Sequence, residues 1–241
     1  MERLDTPSTT LDIILPSYRP NQGWESRIIE MHQFTLVRYP HLLINWILVD
    51  DGSNYDYRNA LAQLQELNIP ISFLRHEQNM GKGQALRTGC KQSKAEIIIY
   101  TDIDFPYEFD SFTRILDALI DRKADLVYGV RSSDYFLNIP SQRRFISGIV
   151  KKMNQFLFKL PSPDTQCGLK GFMSCLRNEF LATKTKRYLI DLEFLHRIAK
   201  KKAYKLLPLK VKLYEETKLG KLKLSSLISE ISDYFKILFV Y

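Results

Sequence analysis

The sequence has few cysteines, no long apolar run and no apolar N-terminal leader, and each absence excludes a class of protein. Three scattered cysteines in 241 residues form neither a disulfide framework nor a Cys-x-x-Cys metal site. The longest stretch without a charge, Tyr39–Val49, has eleven residues. A membrane-spanning helix needs about 18 or more. We therefore expect a cytoplasmic protein in a reducing compartment, in contact with the inner face of a membrane at most peripherally.

What remains is an ordinary globular composition with an uneven distribution of charge. Hydrophobic residues make up 45% and charged residues 26%, which excludes collagen-like and disordered chains. The net charge is +8, yet residues 1–140 contain 14 Lys/Arg and 19 Asp/Glu, whereas residues 141–241 contain 21 and 8. The basic half favours an anionic partner. Because no nucleic-acid recognition motif accompanies it, we expect a lipid surface rather than nucleic acid, the alternative being a solvated cationic surface.

Strand-like and helix-like segments alternate over the first two thirds of the chain. Short β-branched or aromatic runs predict strands, and apolar residues three and four apart predict helices. This alternation predicts one α/β domain with a doubly wound, parallel sheet. The predicted strands are 12–15, 46–49, 71–74, 97–100, 126–128 and 206–214, and the predicted helices are 24–37, 59–67, 84–93, 112–121, 142–160, 187–202 and 224–238.

Polar residues follow the predicted strands, at the sheet edge where parallel sheets bind ligands. Asp50 and Asp51 follow the second strand, and Asp102 and Asp104 follow the fourth. In an extended segment residues i and i+2 point the same way, so Asp102 and Asp104 would face one spot. Two carboxylates suit Mg²⁺, which completes its shell with water and substrate phosphate. We predict a divalent-cation site here, the alternative being a solvated turn.

Gly81-Lys82-Gly83 opens a predicted helix. Glycines let a backbone approach a phosphate, and a helix N-terminus attracts an anion. The motif matches neither the Walker A pattern nor the dinucleotide fingerprint, so the alternative is a glycine turn with a solvated lysine.

Seven short motifs occur in a fixed order over residues 12 to about 223. They read ILPSY at 14–18, VDDGS at 49–53, NMGKGQA at 79–85, TDID at 101–104, YGVR at 128–131, DTQCGLK at 164–170 and DLE at 191–193. In this order they resemble glycosyltransferase family 2, and within it the dolichol- and polyprenol-phosphate sugar synthases.

The resemblance implies a GT-A fold, a mostly parallel twisted sheet flanked by helices. It also implies inverting, metal-dependent transfer of a sugar from a UDP- or GDP-sugar to a polyprenyl phosphate, with a polysaccharide or glycan acceptor as the alternative. The single domain, 1–241, would comprise a nucleotide-binding half to about residue 140, an acceptor half over 141–223 and an amphipathic C-terminal helix over 224–241. We expect that helix to pack on its own domain, the alternative being insertion of its apolar face into a membrane.

The resemblance assigns site residues position by position. The nucleotide-sugar site would contain Pro16, Tyr18, Val49, Asp51, Lys82 and Asp102. The metal, Mg²⁺ or Mn²⁺, would be held by Asp102 and Asp104. The catalytic candidates are Asp164, Arg131 and Arg143. The acceptor side would contain Asp191, Glu193 and Lys218. Asp164 would act as a general base for a hydroxyl acceptor, or position groups for an acceptor that is already anionic.

Two positions depart from the family pattern. Pro106 stands where the lipid-phosphate synthases commonly have Gln, and the segment around Lys218 lacks the family's Arg.

Two other classes of function stay open. A haloacid-dehalogenase-type phosphatase also has Asp-x-Asp after an apolar strand, although in those enzymes the motif lies near the N-terminus. The other alternative is a non-enzymatic basic module that binds lipid or nucleic acid. His196, three residues after Glu193, is expected to be structural.

Overall fold

The computed structural model describes residues 9–131, 148, 152, 154, 156–158, 160–162, 164–214 and 233–239. Its strands are β1 (Thr10–Ser17), β2 (Leu43–Asp50), β3 (Ile71–Arg75), β4 (Ile97–Tyr100), β5 (Leu126–Arg131), β6 (Lys170–Met173) and β7 (Leu206–Val211). Its helices are α1 (Trp24–Arg38), α2 (Arg58–Glu66), α3 (Lys82–Gln92), α4 (Phe109–Ile120), α5 (Arg177–Leu181) and α6 (Ile190–Lys201), with a 3-10 turn over Ser174–Leu176. Residues 156–158 and 233–239 are also helical.

The strands form one sheet in the order β3-β2-β1-β4-β6-β5-β7. All neighbouring pairs are parallel except those of β6, which runs antiparallel to both β4 and β5. The prediction of a mostly parallel sheet is therefore confirmed, and most predicted elements agree with the observed ones within a few residues. Strand β6 was not predicted, because Lys170 and Gly171 do not form a strand-like apolar run.

Helices cover both faces of the sheet, so each central strand is buried on both sides. On β1, Ile13 and Leu15 face α1, α2 and α4, whereas Ile14 faces α3, α5 and α6. Apolar residues on both faces explain why the central strands read as continuous hydrophobic runs rather than as alternating ones.

The antiparallel direction of β6 brings a loop to the carboxyl edge of the parallel strands. Lys170, the first residue of β6, is paired in register with Tyr100 at the end of β4 and with Tyr128 on β5. The loop that precedes Lys170 therefore arrives at the edge where the loops after β1, β2 and β4 also lie. This topology places the motifs at 16–18, 50–53, 101–104 and 164–169 together.

The C-terminal helical residues pack on the domain through one face. Tyr234 and Ile237 are buried, and the Tyr234 hydroxyl donates to Asn154 Oδ1 at 2.9 Å. Phe235 and Phe239 are 55% and 75% exposed, with their rings stacked on each other. The rest of the predicted helix 224–238, and most of the predicted helix 142–160, lie outside the described residues. Within the described part of the chain, no helix combines the length and apolarity needed to span a membrane.

His196 on α6 is buried beneath this C-terminal packing. Its ring meets the ring of Phe158 edge-on, with centroids 4.7 Å apart. Within the described residues, neither ring nitrogen has a hydrogen-bond partner. Burial, assisted by the charge of Lys200, lowers the pKa of His196 to about 4. The histidine thus has the structural setting that the sequence predicted.

This setting predicts a pH dependence of stability. Between pH 6.5 and about 4 the unfolded chain binds a proton at His196 that the folded chain does not, so its contribution to stability falls as the pH is lowered through that range. The variant His196→Leu keeps an apolar contact and removes the titration. We expect its free energy of unfolding to fall less steeply than that of the wild type between about pH 7 and 5.

The measurement is urea denaturation at several pH values. His41, which is exposed, provides the control, and His41→Leu should follow the wild-type slope. Parallel curves for wild type and His196→Leu would contradict the prediction.

Candidate active site

The two carboxylates after β4 lie on a tight turn. The backbone N–H of Phe105 donates to the carbonyl of Asp102 at 3.0 Å, which closes a β-turn. Phe105 has a φ of 45°, rare for a bulky residue, while its buried ring packs between Trp46 and Phe112. The prediction of an extended segment is therefore wrong. The turn, anchored by the Phe105 ring, sets the positions of Asp102 and Asp104.

Lys82, the first residue of α3, binds the first of these carboxylates. Its ammonium lies 2.5 Å from Asp102 Oδ1. Burial acts to lower the pKa of Lys82, but the negative charges of Asp102 and Asp191 outweigh it and hold that pKa above its usual value. Loss of hydration and the charge of Asp102 raise the pKa of Asp104, which lies at the exposed edge of the turn. The site is therefore a compact mixture of one cation and at least two carboxylates.

The loop before β6 presses against the other side of Asp102. A Cβ on Gly168 would lie 2.2 Å from Asp102 Oδ2, so only glycine fits there without displacing the carboxylate. The N–H of Gly168 donates to the Tyr107 hydroxyl at 2.8 Å. Asp102 is thus held between Lys82 on one side and the backbone of this loop on the other.

The same loop begins with Asp164, which forms a two-pronged ion pair with Arg131 at the end of β5. Arg131 Nη2 donates to Oδ1 at 2.5 Å, and Nε and the backbone N–H donate to Oδ2 at 3.0 and 2.8 Å. The side chain of Asp164 is 2% exposed. An Arg–carboxylate pair that uses both oxygens has a defined geometry, so Asp164 fixes the orientation of the Arg131 guanidinium.

A second ion pair, between Lys170 and Asp191, is fully buried beneath the loop. Lys170 has no exposed surface, and its ammonium lies 2.7 Å from Asp191 Oδ1. It also donates to the carbonyl of Cys167, and the Tyr100 hydroxyl donates to Asp191 at 2.7 Å. These contacts tie the loop, α6 and β4 to one point.

Asp51 at the end of β2 organises the neighbouring loop. Its carboxylate accepts the backbone N–H groups of Met80 and Gly81 at 2.9 and 2.7 Å, and it lies 2.9 Å from His76 Nδ1. The other ring nitrogen of His76 contacts the hydroxyl of Thr88. Asp51 therefore holds the segment that leads into α3, and its own side chain is buried.

Comparison with known proteins places this site in a family. The profile described as Glycosyl transferase family 2 matches residues 12–177, more than half of the chain. The chain belongs to glycosyltransferase family 2. The resemblance that the seven motifs indicated is confirmed, and the protein is a glycosyltransferase.

Relatives in sequence agree with this assignment, and solved structures share the fold. The dolichyl-phosphate beta-glucosyltransferase ALG5D of Trichomonas vaginalis is 25% identical over 98% of this chain and 75% of its own. A dolichyl-phosphate beta-glucosyltransferase of Dictyostelium discoideum is 30% identical over 62% and 49%. Glucosyl-3-phosphoglycerate synthase from Mycobacterium tuberculosis, solved with Mn²⁺, UDP and glucosyl-3-phosphoglycerate, superposes with a TM-score of 0.64 at 14% identity, over 95% of this chain and 78% of that one. The fold is the predicted GT-A fold.

One residue of this family 2 enzyme, Val49, occupies a position that differs from the sequence-based expectation. Val49 has no exposed surface and packs in the core, so its side chain does not line a pocket. Tyr18 is 45% exposed and Pro16 is partly exposed at the same edge. Arg143 and Lys218 lie outside the described residues.

The glycines around Lys82 form a packing contact rather than an open phosphate cradle. The N–H groups of Gly83 and Gln84 donate to the carbonyl of Lys186 at 2.8 and 3.3 Å. A Cβ on Gly81 would lie 2.4 Å from that same carbonyl oxygen. The expected anion site at this helix N-terminus is therefore filled by backbone, and Lys82 alone points towards Asp102.

Glu193, expected on the acceptor side, is buried and holds a loop in place. It accepts the N–H groups of Lys184 and Thr185, each at 2.8 Å, and the Thr185 hydroxyl. Asp191 is likewise buried against Lys170. Glu193 has no surface with which to contact an acceptor, and what it does in this structure is anchor the loop at 184–185.

The carboxylates of the turn fit a hard divalent cation. Within the described ranges, no group of three or more His, Cys, Asp or Glu residues forms a metal site made of protein alone. Mg²⁺ and similar ions need only one or two protein carboxylates when phosphate oxygens and water supply the rest. Asp102, 39% exposed, and Asp104, at the exposed edge, offer such a partial set.

The buried carboxylate of Glu193, which accepts hydrogen bonds from the loop at 184–185, generates a prediction. Glu193→Ala leaves two backbone N–H groups and one hydroxyl without a partner, and we expect it to lower the free energy of unfolding by about 3 kcal/mol. Glu193→Gln keeps one acceptor oxygen and should lose roughly half as much. Urea denaturation at neutral pH measures both. A loss below about 1 kcal/mol for Glu193→Ala would contradict the anchoring role.

Proposed function

We propose that this glycosyltransferase moves a sugar, with inversion, from a UDP- or GDP-sugar to a polyprenyl phosphate. The observation that carries the proposal is the carboxylate turn at Asp102–Asp104, held between Lys82 and the loop at 164–170. The relatives named as dolichyl-phosphate beta-glucosyltransferases support the acceptor class and suggest glucose as the sugar. The relative solved with UDP and Mn²⁺ supports the donor class.

On the donor side, Asp102 and Asp104 would hold Mg²⁺ or Mn²⁺. When bound, the ion supplies Lewis-acid stabilisation of the negative charge on the departing nucleoside diphosphate. Lys82 adds a fixed positive charge beside the same phosphates. Pro16, Tyr18 and Asp51 surround the nucleoside, with Asp51 acting through the loop that it orders.

On the acceptor side, a lipid phosphate can react without a strong base, and the Arg131–Asp164 pair fits such a reaction. A phosphate oxygen is already ionised near neutral pH, so no proton needs to be removed for attack on the sugar. Asp164 is engaged by Arg131 on both oxygens, which favours a positioning role. Arg131, together with Arg143, would contact the phosphates, and Lys218 would lie on the acceptor side.

We also propose that the chain is one domain, with its nucleotide half before about residue 140 and its acceptor half after it, and that it touches a membrane peripherally. The basic second half and the exposed rings of Phe235 and Phe239, with Lys236 between them, support this contact. Basic residues near an anionic bilayer each contribute about 1 kcal/mol of attraction.

The direct test is a transfer assay that detects released nucleoside diphosphate and the glycosylated product. UDP- and GDP-sugars are offered with polyprenyl phosphate, free oligosaccharide or phosphoglyceric acid, with and without Mn²⁺. We expect product only with polyprenyl phosphate and a divalent ion. Turnover with oligosaccharide instead would redirect the acceptor assignment, and the absence of any nucleotide-sugar turnover would refute the proposed activity.

The metal role predicts the behaviour of Asp104→Asn. Because Asp104 is exposed, this variant should fold normally but lose transfer by a factor of at least about 100. Asp56→Asn, at an exposed carboxylate, is the control and should retain wild-type activity. Full activity in Asp104→Asn would exclude the carboxylate from the metal site.

The contact between Gly168 and Asp102 gives a second prediction. In Gly168→Ala the new methyl group meets the free end of the Asp102 side chain, so the carboxylate moves while the core is unaffected. Nucleotide-dependent thermal stabilisation should weaken, with a change in unfolding free energy of no more than about 1 kcal/mol. Gly171→Ala provides the contrast, because its Cβ would lie 2.6 Å from the core side chain of Leu119 and should destabilise the fold. Unchanged nucleotide binding in Gly168→Ala would contradict the role of Asp102.

A further inference from the structure

A basic loop, residues 183–188, lies beside the candidate active site with its side chains pointing alternately inwards and outwards. Thr183 and Thr185 are buried, with 2% and 3% of their surface exposed. The intervening and following side chains are exposed, and they are Lys184, Lys186, Arg187 and Tyr188. The loop thus presents three cationic groups and one aromatic ring on its outer side.

Two buried charges from different helices hold this loop. Glu193 on α6 accepts the N–H groups of Lys184 and Thr185, and Arg87 on α3 donates to the carbonyl of Thr185 at 2.7 Å and to the hydroxyl of Thr183 at 3.3 Å. Burying a carboxylate and a guanidinium is costly unless both are well bonded. Because two such groups bond to one short loop, they hold that loop in a defined conformation.

The backbone of α3 provides a third anchor and sets the loop next to Lys82. Lys186 contributes its carbonyl to the N–H groups of Gly83 and Gln84, and the absence of a side chain at Gly81 and Gly83 allows the close approach. Tyr188 lies near enough to Lys82 to interact with it electrostatically. The loop therefore borders the Lys82–Asp102 pair, on the outer side of the proposed donor site.

We propose that the basic loop binds the phosphate group of the acceptor lipid, through Lys184 and Lys186. Lysine ammonium groups bind phosphate as point charges, and a loop ordered before binding loses less conformational entropy when the ligand arrives. An exposed tyrosine beside them suits the boundary between a lipid chain and water. The inference rests on the proposed function, because it takes the acceptor to be a phosphate-bearing lipid.

The experiment compares the double variant Lys184→Gln/Lys186→Gln with the matched control Lys91→Gln/Lys94→Gln. Both remove two exposed positive charges, but Lys91 lies at the far end of α3, about 14 Å along the helix from Lys82, and Lys94 follows just after that end. Steady-state kinetics are measured with a water-soluble short-chain isoprenyl phosphate and with polyprenyl phosphate in neutral phosphatidylcholine vesicles. Binding to vesicles that contain phosphatidylserine but no acceptor is measured separately.

We expect KM for both forms of the acceptor to rise at least about tenfold in the loop variant, with KM for the nucleotide sugar and the melting temperature unchanged. The control variant should match the wild type with both acceptors. A raised KM only for vesicle-borne acceptor, accompanied by weaker binding to phosphatidylserine vesicles, would overturn the proposal in favour of a general lipid contact. A raised KM for the nucleotide sugar would overturn it in favour of a donor contact.

Two further results separate this inference from the proposed function. If the wild type transfers sugar to isoprenyl phosphate and the loop variant does so with an unchanged KM, the acceptor-phosphate assignment is wrong while the activity stands. If the wild type transfers sugar only to a neutral saccharide, the proposed acceptor class is wrong and the loop assignment is overturned with it.

Discussion

The buried ion pair between Lys170 and Asp191 is the interaction on which the rest of the site depends. An ammonium group with no exposed surface is tolerated only when carboxylate and carbonyl oxygens surround it, and here Asp191 and the carbonyl of Cys167 do so. The pair joins three elements. It holds the loop before β6 through Cys167, α6 through Asp191 and β4 through the Tyr100 hydroxyl that Asp191 also accepts. Removing one partner would leave an uncompensated charge at the centre of the site.

From this pair the arrangement extends outwards in two directions. Towards the proposed donor site, the loop places Gly168 against Asp102, and Asp102 in turn binds Lys82. Towards the proposed acceptor site, α6 carries Glu193, which fixes the basic loop. Most of these contacts join residues that are far apart in sequence. The two halves of the chain are linked at the sheet edge by the ion pair between Arg131, in the first half, and Asp164, in the second.

Hydrophobic periodicity was sufficient to predict most of the fold. The central strands are buried on both faces and so read as apolar runs, and amphipathic helices such as α4 show their spacing directly. Strand β6 could not be recognised in this way, because its first residue is a lysine whose burial depends on a carboxylate 21 positions later. The same limit applies to the turn at Asp102, where the buried ring of Phe105 determines a backbone conformation that local sequence does not indicate.

For the site, the sequence predicted which segments converge but not what each residue does there. Asp102, Asp104, Lys82, Arg131 and Asp164 lie at the predicted sheet edge. The roles of buried polar residues depended on partners that only the folded chain brings together. Glu193 is an anchor because two N–H groups of the loop just before α6 donate to it, and the glycines of α3 form a packing contact because the carbonyl of Lys186 lies against them. Arg87 lies in none of the seven motifs, and Lys170, although it ends the motif at 164–170, was assigned no role from the sequence.

We propose that the turn at Asp102–Asp104, held by Lys82 and the loop before β6, binds a divalent ion and the donor diphosphate. The most direct measurement is a crystal structure of the enzyme with Mn²⁺ and UDP or GDP, with manganese located by anomalous scattering. We predict one manganese peak beside the carboxylates of Asp102 and Asp104, in contact with the nucleotide diphosphate. A nucleotide bound away from this turn, or manganese held by other residues, would contradict the account.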